Sequence, residues 1–307
     1  VKGAILAKKE GVDVILSGDE NLIKSYLGNE KIPVINYPQV ISMDDDPAKA
    51  IRSNKDSSII GALNLVKEKK ADAVFSAGST GATLIGAISV LGKIKGVTRP
   101  TIASVLPGKE KEVILVDSGA NLEVKPKVLY QFAIMGSKLS ELLFDIENPR
   151  IGLINNGEES SKGRELEKAT FKLLKSSQLN FIGNVEGKDF ANSKVDVFVT
   201  DGFTGNVVLK TLQGVAKLQQ DLISKSLKEN LFKPLLIPVK NAISPVKSML
   251  NPNSTNGSYL LGVNGLVIIG HGSSNSEAIK NALLFTSRAV EKRFINKFTE
   301  VSSELWM

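Results

Sequence analysis

The sequence predicts a three-layer α/β/α protein built on a mainly parallel sheet, and three observations carry that expectation. Short β-branched runs alternate with helix-length segments from Val12 onward, the runs are apolar throughout, and many of them end in Gly, Ser, Asn or Asp. Strands covered by helices on both faces read as continuous apolar runs instead of alternating with polar residues.

Taken in order, the chain opens on a helical pattern (Ala4, Ile5, Ala7, then Gly11) that starts without a Met, so a further N-terminal piece is expected before Val1. Strands are expected at VDVILS (12–17), IPVINY (32–37), DAVFSA (72–77), TIASVL (101–106), EVILVD (112–117), RIGLIN (150–155), VDVFVT (195–200) and GLVIIG (265–270). Helix-length segments separate most of them, which is the rhythm of βα units. All 307 residues are read as one α/β catalytic domain.

Five apolar runs end in small, flexible, hydrogen-bonding residues: SAGSTGA (76–82), DSGAN (117–121), NNGEESSKG (155–163), TDGFTGN (200–206) and GHGSSN (270–275). Open α/β sheets bind ligands at the carboxyl ends of their strands. Glycine lets backbone approach a ligand, and the N–H groups that open a helix favour an anion. Each loop alone has a plain alternative, because strand-to-helix turns select these residues anyway. Five on one edge point to a large phosphate-binding or acyl-transferring site.

One segment breaks the rhythm, LISKSLKENLFKPLLIPVKNAISPVKSMLNPN (222–253). Between Ser224 and Leu250 it has five lysines against the single Glu229, with apolar residues between them and prolines dividing it. It is read as an inserted basic amphipathic helical hairpin that lies on an anionic membrane, serves as a dimerisation arm, or does both. Lys233, Leu235, Leu236, Lys240 and Lys247 are its candidate contact residues.

Composition narrows the chemistry. There is no Cys, which excludes disulfides, thiolate catalysis and Cys-ligated zinc, and fits a reducing cytosol; one His excludes a His-cluster metal site. The formal charge of +7 favours a polyanionic partner without choosing among nucleic acid, anionic lipid and acidic protein. A 6% aromatic content without an interleaved Arg or aromatic platform argues against nucleic acid. No run is apolar and long enough to span a bilayer.

Six blocks, in this order, resemble the signatures of the PlsX family of phosphate acyltransferases: the segment 46–82 ending in SAGSTGA, TRP (98–100), VDSGANLEVKP (116–126), LINNGEESSKG (153–163), VTDGFTGNVVLKT (199–211) and GVNGLVIIGHGSS (262–274). The family's N-terminal strand and Met-Gly-Gly-Asp loop have no counterpart here. The resemblance implies transfer of a long acyl chain from acyl carrier protein to inorganic phosphate, giving acyl phosphate for glycerophospholipid synthesis. It also implies a fold related to phosphotransacetylases and isopropylmalate dehydrogenases, a homodimer, a cytoplasmic location with peripheral attachment to anionic membrane, and no cofactor or metal.

Phosphorolysis of a thioester needs a phosphate cradle, a charge or dipole facing the developing oxyanion, and a path for the acyl chain. Lys162, where the family motif has its lysine, is the first catalytic candidate; the alternative is a solvated lysine in the first turn of a helix over 162–175. Asn155 and Asn156 are candidate oxyanion or phosphate donors, or turn residues. Asp201 is a candidate partner of Lys162, or a helix cap, with Thr204, Gly205 and Asn206 beside it. Ser79, Thr80, Gly81, Ser118 and Asn121 are candidate donors to phosphate, and Arg99 is a candidate contact for phosphate or the carrier. His271, between Gly270 and Gly272, is a candidate catalytic donor or a residue of the site wall. Two other readings stand beside this one: a phosphotransacetylase-like enzyme using acyl-CoA, and a non-catalytic membrane or carrier adaptor. A dehydrogenase would need an acidic residue for the adenine ribose and a metal-binding carboxylate cluster, and neither is evident.

Overall fold

A computed structural model of the chain describes residues 1–229 and 257–305. All eight expected strands form: β1 (Leu16–Gly18), β2 (Val34–Asn36), β3 (Ala73–Ser76), β4 (Thr101–Leu106), β5 (Val113–Val116), β6 (Ile151–Ile154), β8 (Val197–Val199) and β10 (Leu266–Ile269). Two more were not anticipated, β7 (Phe181–Val185) and β9 (Ser258–Leu261). The first carries Gly183 and an exposed Ile182 at the sheet margin, and the second has only four residues, so neither reads as a long apolar run.

The helices are α1 (Lys2–Lys9), α2 (Glu20–Leu27), α3 (Pro47–Ser53), α4 (Ser58–Lys67), α5 (Thr80–Val90), α6 (Pro126–Phe144), α7 (Glu165–Lys175), α8 (Gly202–Glu229), α9 (Ser276–Glu291) and α10 (Phe294–Leu305). Local chemistry explains several starts. Asp19, Asp46, Ser79 and Asn275 each accept a backbone N–H in the first turn of the helix that follows, and Pro47 opens α3, where a missing N–H costs nothing.

Among the described residues, eight strands form one mixed sheet in the order β3-β10-β9-β4-β5-β8-β6-β7. Pairing is parallel at both flanks, between β3 and β10 and along β5-β8-β6-β7. It is antiparallel through the centre, where β9 and β4 lie. The strands β1 and β2 do not join this sheet and pair with each other in parallel.

Alternate side chains point to opposite faces, which sorts the core into layers. Val105, Ile114, Val116, Ile151, Leu153, Val197 and Val199 face α6. On the other side, Val74, Ile102, Leu260, Val267 and Ile269 pack under α3, α4 and α5. On that same side Leu115, Ile154, Val185 and Phe198 pack under Val208, Leu209 and Leu212 of α8. This is the expected α/β/α sandwich. The hairpin expected over 222–253 begins as the continuation of α8 through Glu229; the rest of it, with Lys233, Leu235, Leu236, Lys240 and Lys247, lies outside the described residues.

Candidate functional site

Strand direction divides the five loops into two groups. Because β4 runs antiparallel to β5 and in the same sense as β10 and β3, the carboxyl ends of β3 and β10 point one way along the sheet and those of β5, β8 and β6 the other, while the ladders set Ile269, through Ser258 and Ser104, level with Leu115 near the end of β5. The loops DSGAN, NNGEESSKG and TDGFTGN therefore form one group, and SAGSTGA and GHGSSN a second. From β10 to β8 there are four strand steps, or about 20 Å at ~4.8 Å each.

The first group is cross-braced. Asp117, fully buried at the end of β5, accepts N–H bonds from Ile102, Gly119, Ala120 and Asn121 and a further one from Asn121 Nδ2. Burial pushes the Asp117 carboxyl up from its ordinary value, and these donors pull against that shift. Five donors and no acceptor face it, so the geometry suits the carboxylate. Asn121 also donates to the Pro100 carbonyl, 2.9 Å away, and its own carbonyl accepts from Gly202. The start of α8 is thereby seated on the DSGAN loop. Contact there is so close that a Cβ on Gly205 would lie 1.8 Å from the Asp117 carbonyl oxygen.

Asp201 caps α8, accepting from the Thr204 N–H at 2.7 Å. Its second oxygen accepts from Arg164 Nη2, and the same guanidinium bonds Glu167. Arg164 is thus a bridge between the amino ends of α7 and α8, and Glu167 first and then Asp201 hold its pKa above the ordinary value. This answers the question of the Asp201 partner: it is Arg164 and not Lys162. Sequence reading missed Arg164 because a helix was expected to begin at 162, whereas α7 begins at Glu165 with Arg164 as its cap residue. Asp117 was passed over in favour of its neighbours, although an Asp at a strand end ahead of Ser-Gly is a side chain suited to bonding nearby backbone N–H groups.

Lys162 is consequently outside the helix. Its side chain is exposed, its stem folds over Gly157, and Asn155 Nδ2 donates to its carbonyl at 3.1 Å. Its ammonium has no ion pair among the described residues. Asn155 spends its oxygen on the Asn156 N–H, while the exposed Asn156 side chain has no partner among the described residues. Asn206 is exposed over Gly119, and Thr204 is half-buried one residue before Gly205. An uncompensated lysine, free amides and the amino end of a long helix thus occupy one region. Such an arrangement attracts an anion and can face a developing oxyanion.

The remaining candidates are placed differently. Ser118 is buried, accepting from Ser104 Oγ and donating to the Ile102 carbonyl, so it is sheet structure and no free donor. In the second group Ser79 caps α5, Thr80 is exposed, and Gly81 lies against Pro47. There Gly270 lies against the Phe75 ring and Gly272 against Met43. His271 is exposed, and its Nδ1 is bonded within its own loop to Ser273 Oγ, 2.6 Å away. The four catalytic candidates therefore divide by strand direction: Lys162, Asn156 and Asp201 follow strands that run one way, and His271 follows a strand that runs the other. Arg99 is exposed in the connection between α5 and β4. Among the described residues no group of three His, Cys, Asp or Glu side chains is arranged to hold a metal, and no helix is long and apolar enough to cross a membrane.

The fold is an α/β/α sandwich of the kind that phosphotransacetylases have. A phosphotransacetylase from Streptococcus pyogenes is similar in structure at 17% identity, with a TM-score of 0.60 over 95% of this chain and 92% of that one. The chain belongs to the fatty acid synthesis protein family, the PlsX family to which its motif blocks pointed, and the family's model matches residues 1–297. It is 42% identical over 305 residues to the phosphate acyltransferase of Halothermothrix orenii, covering 96% of this chain and 91% of that protein. The phosphate acyltransferase of Leptospira biflexa is 43% identical over 310 residues, covering 98% of this chain and 91% of its own length.

Proposed function

We propose that this enzyme transfers a long acyl chain from acyl carrier protein to inorganic phosphate, supplying acyl phosphate for glycerophospholipid synthesis. A phosphate oxygen attacks the thioester carbonyl carbon, the C–S bond breaks as the new C–O bond forms, and the thiolate leaves and takes up a proton from phosphate or water. Phosphate is already an anionic nucleophile and thiolate a good leaving group, so alignment and charge stabilisation matter more than a strong acid or base.

The observation that carries this reading is an exposed Lys162 with no ion pair among the described residues, two positions before the Arg164 that bonds Asp201 at the start of α8, in a chain of this family. Lys162 holds phosphate or the oxyanion, Asn156 and Asn206 donate to the same anion, and Arg164 with Asp201 fixes the helix ends. Inorganic phosphate is the second substrate. Support for a homodimer comes from an exposed apolar stripe on α8, formed by Phe203, Val207, Val215, Leu218 and Leu222. The net charge of +7 supports contact with an acidic carrier and peripheral attachment to anionic membrane in the cytoplasm.

Acyl-CoA as the thioester is the second reading, favoured by the structural likeness to a phosphotransacetylase. Free thiol is followed with acyl carrier thioester or acyl-CoA, with and without phosphate. Phosphate-dependent release from the carrier thioester is expected, falling by about 10²–10³ in Lys162→Ala. Release that ignores phosphate would sink the acyltransferase reading, release only from acyl-CoA would replace the carrier, and a fully active Lys162→Ala would remove Lys162 from the chemistry.

A further inference from the structure

Beside the Lys162 loop, the wall formed by Ser160 and Ser161 continues into an open groove of about 930 Å³ along the outer side of α7. Lys168, Lys172 and Lys175 line this groove, and Glu165 is the one acidic residue among its lining. The three lysines follow i, i+4, i+7 spacing, so they stand on one face over about 10 Å of helix. Lys168 lies 3.2 Å from Glu165, which is almost wholly in solvent, and Lys175 sits 6.0 Å from the Phe171 ring centre. The Lys172 ammonium has no partner among the described residues.

Two of these lysines occupy the last turn of α7, where cations favour the helix dipole. That accounts for Lys172 and Lys175 but not for Lys168, which ends the first turn, where a cation opposes the dipole and the exposed Glu165 is its partner, nor for a concave basic face continuous with the Lys162 loop. We infer that this face of α7 receives an acidic helix of the acyl carrier protein, whose carboxylates at one-turn spacing meet Lys168, Lys172 and Lys175. The inference rests on the carrier-thioester reading and says which surface holds the carrier. A partner held here stands one loop away from Lys162, where the thioester must arrive. A bilayer fits the same face poorly, since binding a lipid surface needs buried apolar area, and Leu173 is the large apolar residue that this face exposes.

The test compares kcat/KM for an acyl group on carrier protein with kcat/KM for the same acyl group on pantetheine. The ratio between them is expected to fall about tenfold in Lys172→Glu and about a hundredfold in Lys168→Glu/Lys172→Glu/Lys175→Glu, with the loss in KM and with a flatter dependence on salt. Lys67→Glu, on α4 across the sheet, serves as the control and is expected to keep the ratio. An unchanged ratio in the triple variant overturns the proposal. So does an unchanged ratio accompanied by lost binding to phosphatidylglycerol vesicles, which would make the face a lipid surface. If neither thioester yields phosphate-dependent thiol, the functional reading fails by itself, and fluorescence anisotropy of labelled unloaded carrier protein then decides docking: binding that the triple variant loses supports it, and no binding refutes it.

Discussion

The two groups of strand-end loops are written in the same residues and are built in different ways. Around Asp117 and Asp201, buried carboxylates tie three loops and two helix starts into one braced unit. Around His271 the side-chain contacts are short-range, since the histidine bonds Ser273 two residues on and Ser79 caps the helix it begins, and a backbone bond from the Gly270 N–H to the Ser76 carbonyl joins the two loops. Rigid bracing under exposed, unpaired groups is what preorganised electrostatic catalysis requires. The group with Lys162 meets that description, while the group with His271 has no buried carboxylate bracing it among the described residues.

The contrast can be broken at its tightest point first. Gly205→Ala would force a methyl against the Asp117 carbonyl, so chemical denaturation is expected to show a loss of about 3 kcal/mol or more, or no folded protein at all. A variant as stable as the parent would mean that α8 is not seated on the DSGAN loop.

A smaller effect is expected from Asp117→Asn, which presents an amide to groups that are themselves donors. About 2 kcal/mol of stability should be lost as two or so N–H groups go unsatisfied. Equal stability would show that the carboxylate is not the organiser of that loop. The smallest change is expected in the other group. His271→Ala should shift stability by less than about 0.5 kcal/mol, since the side chain is exposed and locally bonded. It should also leave phosphate-dependent thiol release within about threefold of the parent, and a hundredfold drop would return the histidine to the reaction and refute the division of the two groups.

Much of the fold is legible in the residues. Runs such as EVILVD and VDVFVT announce buried strands because both faces must be apolar, and Asp46-Pro47 announces the start of a helix by its own chemistry. The short β9 was not legible, since SYLL becomes a strand only through ladders to β10 and β4 on either side. That strand matters out of proportion to its length. It lies in the antiparallel centre of the sheet, between one set of strand ends and the other.

The site was legible in part for the same reason. Lys162 was a candidate because the family's motif has its lysine there, and Asn156 and Asp201 because they stand at a strand end and a helix start, but Arg164 was missed because its partner Asp201 lies 37 positions further along the chain. The sequence by itself determined the α/β/α class, the polar character of the strand ends, the lack of cysteine among these 307 residues and the family. These follow from local pattern, composition and motif order. Only the tertiary structure decided which loops face one another, which carboxylate each cation meets and which lysines remain unpaired. Strand direction and side-chain partnership are properties of distant segments meeting, and no local pattern encodes them.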